Sequence, residues 1–367
     1  LGSSNVEAIA KKRIVQNRLV TIISVSRVLL ATVVSVLLMN IICITFRRPN
    51  RIYNSVLQLT LPSLRERQPE IRSSSDFPTI SLIVDPTNEN YSKEDLETLA
   101  RLELGETPEV KQRSLTQLRQ LLEGEPGLLI PQDDDFLLMF LRTRKYKVED
   151  AFQTIKKYFR SRREMPEYFE ELSTSSDLYK TFFRDHKLIM YSKDRDQQGR
   201  VVALVNYGTW RPDMCSMTEL VRCGLWAMEC HLLEMETQIR GFVAVIDLKG
   251  FSAHHLMELT PWFLRRTLTI AQDSLPARIK AMYFLNTPVV FEVVYTIAKP
   301  FLKAKLKNRL HFIRKDVSEL LGVIPSDLIP KDCGGTREDF DYDRQENFFS
   351  GKASHIEKIR QCGYTSK

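Results

Sequence analysis

Short apolar segments of strand-like composition alternate with helical segments in the second half of the chain, and this alternation constrains the fold most strongly. The clearest strands are Phe242–Leu248 (FVAVIDL) and Ile279–Leu285 (IKAMYFL), with a helical segment between them. Buried strands joined by a helix are typical of crossover connections. Leu188–Tyr191 and Val201–Tyr207 are also strand-like, and Gly199 between them favours a hairpin turn. The sequence therefore predicts an α/β sandwich.

The segment before these strands has the apolar spacing of helices. Ser92 is followed three residues later by Asp95, a variant of the capping box that begins many helices. The sequence predicts a small all-helical domain over residues 91–172 and an α/β domain over residues 173–340. We interpret the arginines of the helical domain as a solvated surface; they are Arg142, Arg144, Arg160, Arg162 and Arg163.

The N-terminal part contains one segment that is long and apolar enough to cross a bilayer. Val28–Phe46 carries no charged residue, and nineteen residues of helix would span roughly 28 Å. We predict either a transmembrane helix or a spurious leader, such as translated non-coding or isoform-specific sequence. A basic segment (1–27) precedes it, a proline-containing disordered linker (47–90) follows it, and a polar C-terminal tail is predicted over 341–367.

The positive charge of the chain is concentrated in one stretch, Arg278–Lys315. It contains nine basic residues and one acidic residue, Glu292, whereas the whole chain has a net charge of +7. Pro288–Leu302 in its middle is apolar on almost every side, which is typical of a helix that faces a core or lipid. We interpret Pro288–Leu302 as a mobile lid that meets an anionic membrane.

Other functional classes find little support in the sequence. No zinc-finger, RNP or basic-zipper spacing indicates nucleic-acid binding. No P-loop, GxGxxG, GxSxG or HExxH motif indicates an enzyme, a cofactor or a metal site. The six cysteines form no CxxC pair and indicate a reducing compartment. His254–His255 beside a helix start favours capping or a surface position, and Asp247 at a strand end has no partner for catalysis.

Four motifs in order resemble a known family: FLLMFLRTRKYKVEDAF, METQIRGFVAVIDLKGF, LPARIKAMYFLNTPVVFEVVYTIAKPFLKAKLKNRLHF and LIPKDCGGT. They are similar to CRAL-TRIO lipid-transfer proteins, in particular the alpha-tocopherol transfer protein and cellular retinaldehyde-binding protein branch. The resemblance extends from about Tyr91 to Thr336. It implies a mixed sheet, a helical gate, and a soluble carrier that holds one hydrophobic molecule in a closed apolar cavity. We call Pro288–Leu302 the gate.

The resemblance also implies site residues. The family's phosphoinositide-binding positions correspond to Arg278, Lys280, Lys305 and Arg309, all basic here. Two serines of the tocopherol carrier correspond to Gly224 and Met228, so the ligand's polar contacts differ; Gly224 indicates either tight helix packing or close approach of a ligand. Each cavity candidate alone is typical of core packing, whereas the set indicates a cavity: Val221, Gly224, Met228, Phe242, Ile246, Leu259, Ile270, Leu275, Met282, Phe284, Phe291 and Tyr295.

We therefore expect intracellular transfer of a tocopherol-, retinoid- or other lipid-like molecule by a monomer. Release would occur at phosphoinositide-containing membranes, with the open gate burying Phe291, Tyr295 and Phe301 in lipid. The expected location is cytoplasmic and peripheral on endosomal or similar membranes, or integral if Val28–Phe46 spans the bilayer. The alternatives are a membrane-anchored adaptor that senses lipid without transferring it and, with less support, an enzyme acting on lipid.

Overall fold

A five-stranded mixed sheet organises the part of the protein that the structure describes. The structure is a computed structural model, and it describes residues 92–192, 194–314, 316–337 and 340–365. The strands follow the order β2-β3-β4-β5-β6, with β2 and β3 antiparallel and the remaining pairs parallel. The strands are β2 (Ile189–Tyr191), β3 (Val201–Val205), β4 (Phe242–Asp247), β5 (Ile279–Leu285) and β6 (Leu310–Phe312). This confirms the predicted α/β class, and Gly199 in the β2–β3 connection has the positive φ expected of a turn glycine (70°).

Helices precede the sheet, connect its parallel strands and follow its last strand. Those before the sheet are α1 (Lys93–Leu104), α2 (Pro108–Glu123), α3 (Asp134–Thr143), α4 (Val148–Glu164) and α5 (Asp177–Tyr179), which continues as a π-helix to Asp185. Those between strands are α6 (Met217–Leu232), α7 (Met235–Arg240), α8 (Ala253–Glu258), α9 (Pro261–Thr269), α10 (Phe291–Ala298) and α11 (Ala304–Lys307). After β6 come α12 (Ser318–Leu321) and α13 (Tyr342–Arg360).

The two faces of the sheet pack against different parts of the chain. Val202, Val243 and Tyr283 face a cluster formed with residues after β6, including Leu320 and Ile329. The opposite face meets the helices that precede and connect the strands. Because side chains alternate along a strand, each strand contributes to both layers.

The N-terminal helices begin as the sequence predicts, but their arginines do not form a uniform solvated surface. Ser92 and Asp95 make the reciprocal capping box of α1. Arg142 is buried, and its Nε and Nη2 each donate to a carboxylate oxygen of Glu106 at 2.8 Å. Arg162 is also largely buried and donates to both oxygens of Glu229, at 2.7 and 2.8 Å. The surface interpretation is wrong for these two, because each finds a carboxylate on a distant segment.

The C-terminal tail expected over 341–367 contains the nineteen-residue helix α13. Its Phe349 is fully buried against Trp226 of α6, with ring centroids 4.9 Å apart. After α13, β7 (Gly363–Tyr364) pairs antiparallel with β1 (Leu128–Leu129). The end of the chain thereby packs against the helices that precede the sheet.

The predicted segments 1–27, 28–46 and 47–90 lie outside the described residues. Within the described ranges, no helix has the combination of length and apolar character that crossing a bilayer requires.

Candidate functional site

One face of the two strands β4 and β5 is incompletely covered, although both strands are interior to the sheet. We call this surface the apolar sheet face; its half-buried side chains are Ala244, Ile246, Met282 and Phe284. The opposite face of the same strands is buried throughout: Val243, Val245, Ala281, Tyr283 and Leu285. Interior parallel strands normally bury both faces. The side chains of the apolar sheet face are therefore less covered by protein than those of the opposite face.

Helix α6 supplies three of the predicted cavity residues from one side of the helix. Val221, Gly224 and Met228 follow the i, i+3, i+7 spacing and are all half-buried. A Cβ atom built on Gly224 would meet only Cδ1 of Ile189, at 3.4 Å, which is ordinary van der Waals contact. Protein packing alone therefore does not require glycine at this position.

The other predicted cavity residues divide between two clusters. Phe242, Ile270 and Leu275 are buried in the cluster that contains α6, against which Val221 and Met228 pack. Leu259 and Phe291 are buried in a second cluster under the gate, against which Ile246 and Phe284 pack. Tyr295 is half-buried, with its ring centroid 5.2 Å from that of Phe312.

The gate contains α10 and the 3₁₀ turn Lys299–Phe301 that follows it. Phe291, Val294 and Ala298 lie on its buried side at helical spacing, whereas Val289 and Val293 are 40% and 45% exposed. Trp262 of α9, a helix that packs against α10, is also exposed (61%), as is Met257 of α8 (55%). The gate thus has apolar residues on both its inner and its outer side.

Gln272 holds the C-terminal end of the gate. Its Nε2 donates to the carbonyl oxygen of Phe301 at 2.9 Å, and its Oε1 accepts from the backbone N–H of Lys303 at 2.7 Å. The Lys303 ammonium also pairs with Asp273. At the other end, Arg314 pairs with Glu292 of α10. These polar contacts join the gate to the π-helical turn Ile270–Ser274 that follows α9 and to the residue Arg314 just after β6.

The four predicted phosphoinositide-binding residues lie together because of strand topology. Arg278 and Lys280 are at the amino end of β5, and Lys305 and Arg309 immediately precede β6. The strands are parallel, and the N–H of Met282 donates to the carbonyl oxygen of Arg309 at 2.8 Å. The amino ends of both strands therefore meet at one edge. We call these four residues the cationic cluster.

Glu103 of α1 approaches the cationic cluster, which the sequence did not predict. One carboxylate oxygen lies 3.3 Å from Nη1 of Arg278 and 3.7 Å from Nζ of Lys280. The other lies 2.8 Å from Nη1 of Arg240. Glu103 is 175 residues from Arg278 in the chain, and no local pattern connects them.

Burial and mutual repulsion disfavour the charged forms of the two lysines of the cluster. Burial, followed by the charge of Arg278, lowers the pKa of Lys280 to about 8 even though Glu103 opposes the shift. Burial and then the charge of Arg309 lower the pKa of Lys305, and Arg144 and Lys145 contribute in the same direction. Arg144 and Lys145 therefore border the cluster, although the sequence interpretation placed Arg144 on a solvated surface. The arrangement favours binding of a multiply charged anion.

His255 and Asp247, whose side chains are of types common in catalysis, make structural hydrogen bonds in this protein. The N–H of Ser252 donates to Nδ1 of His255, whose Nε2 contacts the carbonyl oxygen of Tyr207 at 3.0 Å. This confirms a capping role for His255. Asp247 accepts from Nδ2 of Asn286 at 2.7 Å and from the N–H of Lys249 at 2.8 Å. Across the described ranges, no group of three or more His, Cys, Asp and Glu side chains could hold a metal ion.

Comparison with known proteins identifies the family. The model of the CRAL/TRIO domain matches residues 185–335. The chain is 35% identical over 251 residues to "Alpha-tocopherol transfer protein-like" of Homo sapiens, covering 68% of this chain and 72% of that protein. It is 32% identical over 252 residues to "Clavesin-1" of Rattus norvegicus, covering 66% of this chain and 68% of that protein. A solved structure, "Crystal structure of Sfh5", aligns with a TM-score of 0.45 and 16% identity over 74% of this chain and 100% of that chain.

These matches confirm the resemblance predicted from the four sequence motifs, and the protein belongs to the CRAL/TRIO domain family.

Proposed function

We propose that this protein binds a hydrophobic small molecule between the apolar sheet face and the gate, and transfers it to membranes that contain phosphoinositides. A human relative is named "Alpha-tocopherol transfer protein-like", which supports transfer rather than covalent chemistry as the function. The observation that carries the proposal is that the apolar sheet face of the interior strands β4 and β5 stays half-buried beside the gate, whose connection to β6 ends in the cationic cluster.

The apolar sheet face and the inner side of the gate account for ligand binding. Burying a hydrocarbon ligand gains about 0.8 kcal/mol per CH₂ group, so affinity grows with the apolar area that the cavity removes from water. Gly224 and Met228 provide no hydroxyl group. A ligand in this cavity is therefore held mainly by apolar contacts on the α6 side. A polar group of the ligand at this place would lack the two serine hydroxyls that the tocopherol carrier provides.

The outer side of the gate accounts for docking. Val289, Val293, Met257 and Trp262 present exposed apolar side chains, and lysines on α11 provide positive charge beside the gate. A basic side chain near an anionic leaflet contributes about 1 kcal/mol. Docking therefore brings the gate against lipid, where its apolar residues no longer need to face the protein interior.

A phosphoinositide head group in the cationic cluster links docking to release. The gate connects the carboxyl end of β5 to the amino end of β6, so one end of this connection carries Lys305 and Arg309. A head group bound there favours the open state only if it binds the open state more tightly. Opening would turn Phe291, Tyr295 and Phe301 from the protein interior towards lipid, and the protein would act peripherally at the membrane.

Two measurements test the proposal. Mass spectrometry of the protein purified from native tissue should find one class of hydrophobic molecule bound in stoichiometric amount. Replacing both Lys305 and Arg309 by Gln should slow transfer of that molecule to phosphoinositide vesicles up to about thirtyfold, since two cations worth about 1 kcal/mol each are lost.

Lys358→Gln is the matched control for the vesicle experiment, because Lys358 is exposed on α13 and belongs to neither the gate, α11 nor the cationic cluster. It should leave transfer nearly unchanged. Equal transfer by the double variant and the wild type, or equal transfer to vesicles with and without phosphoinositide, would contradict the proposal.

A further inference from the structure

We propose that Glu103 is a built-in anion that occupies one half of the cationic cluster, and that the second phosphate of a head group must displace it. The inference rests on the proposed function and specifies how the same site distinguishes singly from multiply phosphorylated ligands.

Glu103 is positioned as an internal ligand rather than as a surface charge. Its side chain is only 15% exposed, and its three cationic neighbours Arg240, Arg278 and Lys280 are 11%, 13% and 27% exposed. Ion pairs that are shielded from water interact more strongly than exposed ones. The single carboxylate is thus shared among three partly buried cations.

The other half of the cluster has no carboxylate partner among the residues that the structure describes. Lys305 and Arg309 form no ion pair there, and the guanidinium of Arg309 donates to the carbonyl oxygen of Ile279. The neighbouring Arg144 donates through Nε to the hydroxyl of Thr154 at 2.8 Å. The cluster therefore has two halves. Lys305 and Arg309 form an open half, and Arg278 and Lys280 form a half that pairs with Glu103.

This division predicts different behaviour for different head groups. A phosphate monoester carries a charge of about −1.5 to −2 and three acceptor oxygens, so one phosphate can bind the open half without moving Glu103. A second phosphate needs Arg278 and Lys280, whose present partner carries only one negative charge. Replacing the Glu103 carboxylate by the second phosphate strengthens the interaction with these two cations. The loss of the Glu103 contacts reduces the net gain in binding free energy.

The surroundings of α1 restrict the displacement to the Glu103 side chain. Leu99, Ala100 and Leu104 are buried against Ile239, and Glu106, just after the helix, pairs with Arg142. These contacts hold the backbone on both sides of Glu103. We therefore expect the Glu103 side chain to leave Arg278 and Lys280 when the second phosphate binds, while the backbone of α1 stays in place.

The test compares Glu103→Gln with the wild-type protein. Binding is measured with phosphatidylcholine vesicles that contain a phosphatidylinositol monophosphate or bisphosphate at equal surface charge. Glu103→Gln should raise the affinity for bisphosphate vesicles about tenfold, because no internal anion has to leave, and the affinity for monophosphate vesicles less than about threefold. The same contrast should appear with soluble inositol bisphosphate and trisphosphate; a contrast confined to vesicles would overturn head-group recognition as its cause.

Glu97→Gln is the matched control, since Glu97 lies on the same helix and is exposed, 4.0 Å from Lys93. It should change neither affinity. An equal rise of both affinities in Glu103→Gln, or no rise for the bisphosphate, would overturn the inference. If the wild type itself does not prefer phosphoinositide over phosphatidylserine vesicles, the proposed function fails instead.

A measurement on the wild-type protein guards against misfolding of the variant. In the wild-type protein carrying isotope-labelled glutamate, the NMR chemical shift of the Glu103 carboxyl carbon should change when the bisphosphate head group binds and stay nearly unchanged with the monophosphate. The same chemical shift with both head groups, at concentrations where both are bound, would contradict displacement of Glu103.

Discussion

Lys280 illustrates how the setting of a single residue determines its charge. Its ammonium lies among Arg278, Arg309 and Arg200 with Glu103 as the nearby acid, and burial and these cations lower its pKa to about 8. Lys280 is therefore largely protonated at about pH 7 and largely neutral at about pH 9. An anion binds the protonated form more tightly.

We predict that affinity for phosphoinositide vesicles falls as the pH rises from about 7 to about 9. Lys280→Arg should remove most of this dependence, because a guanidinium stays protonated over the whole range. Vesicle co-sedimentation across the pH range measures the effect, with Lys307→Arg as the control that keeps it. A pH profile that is the same in Lys280→Arg and in the wild type would show that another group titrates.

Gly224 gives a second prediction at the level of one residue. A Cβ at this position meets only Ile189, at 3.4 Å, so Gly224→Ala should stabilise α6 by about 0.5–1 kcal/mol. The same methyl group points to the half-buried side of α6 and should weaken ligand binding if the ligand approaches there.

Gly351→Ala in α13 is the control for this experiment, because a Cβ there meets no atom within 4 Å. Both variants should raise the midpoint of urea unfolding, and only Gly224→Ala should lower ligand affinity. If neither variant changes ligand affinity, the ligand does not reach Gly224; if Gly224→Ala destabilises the fold, tight packing explains the glycine.

Among the elements, the gate depends on contacts at its ends. Gln272 makes one hydrogen bond to the carbonyl of Phe301 and one to the N–H of Lys303, and each is worth roughly 0.5–1.5 kcal/mol. Both contacts join the end of the gate to the segment after α9. For the gate to open, these two hydrogen bonds would have to break.

We predict that Gln272→Ala opens the gate more easily and accelerates release of a bound hydrophobic ligand about tenfold. Stopped-flow transfer of a fluorescent ligand to vesicles measures the rate. Gln153→Ala is the control, since Gln153 is exposed on α4 and contacts Glu149 of the same helix. Unchanged release from Gln272→Ala would show that these hydrogen bonds do not limit opening.

For the whole molecule, two buried histidines make folding stability depend on pH. Burial is the main cause that lowers the pKa of His231 to about 3 and that of His255 to about 4, from an ordinary value of 6.5. Both are neutral in the folded protein at pH values where the unfolded chain already binds protons.

The free energy of unfolding should therefore fall as the pH drops below about 6.5, by up to roughly 1.4 kcal/mol per pH unit for each histidine. Above about pH 6.5 the contribution of these two histidines should stay nearly constant. Urea unfolding between about pH 7 and about pH 5 measures this. His255→Asn should be less stable at neutral pH, with a smaller slope. A constant unfolding free energy in that range would contradict burial of the two neutral rings.

Much of the architecture could be predicted because its signals are local. The apolar runs of β4 and β5, the turn glycine Gly199 and the cap of α1 each lie within a few residues of the structure they specify. The basic residues of the cationic cluster could be named from the family motifs, whereas their meeting at neighbouring strand ends follows from the sheet topology. The Phe348–Phe349 pair in α13 was missed, since two apolar residues in a polar helix resemble an exposed tail until α6 covers them.

Periodicity and composition act over one or two turns, so they were enough to place the strands and helices along the chain, the apolar segment of the gate and the stretch of positive charge. Which cations have partners depended on tertiary packing. Arg142 and Arg162 are neutralised by Glu106 and Glu229, while one acid from α1, Glu103, serves Arg278 and Lys280. The physical reason is that an ion pair depends on a distance of a few ångströms between side chains, and packing of distant segments sets that distance.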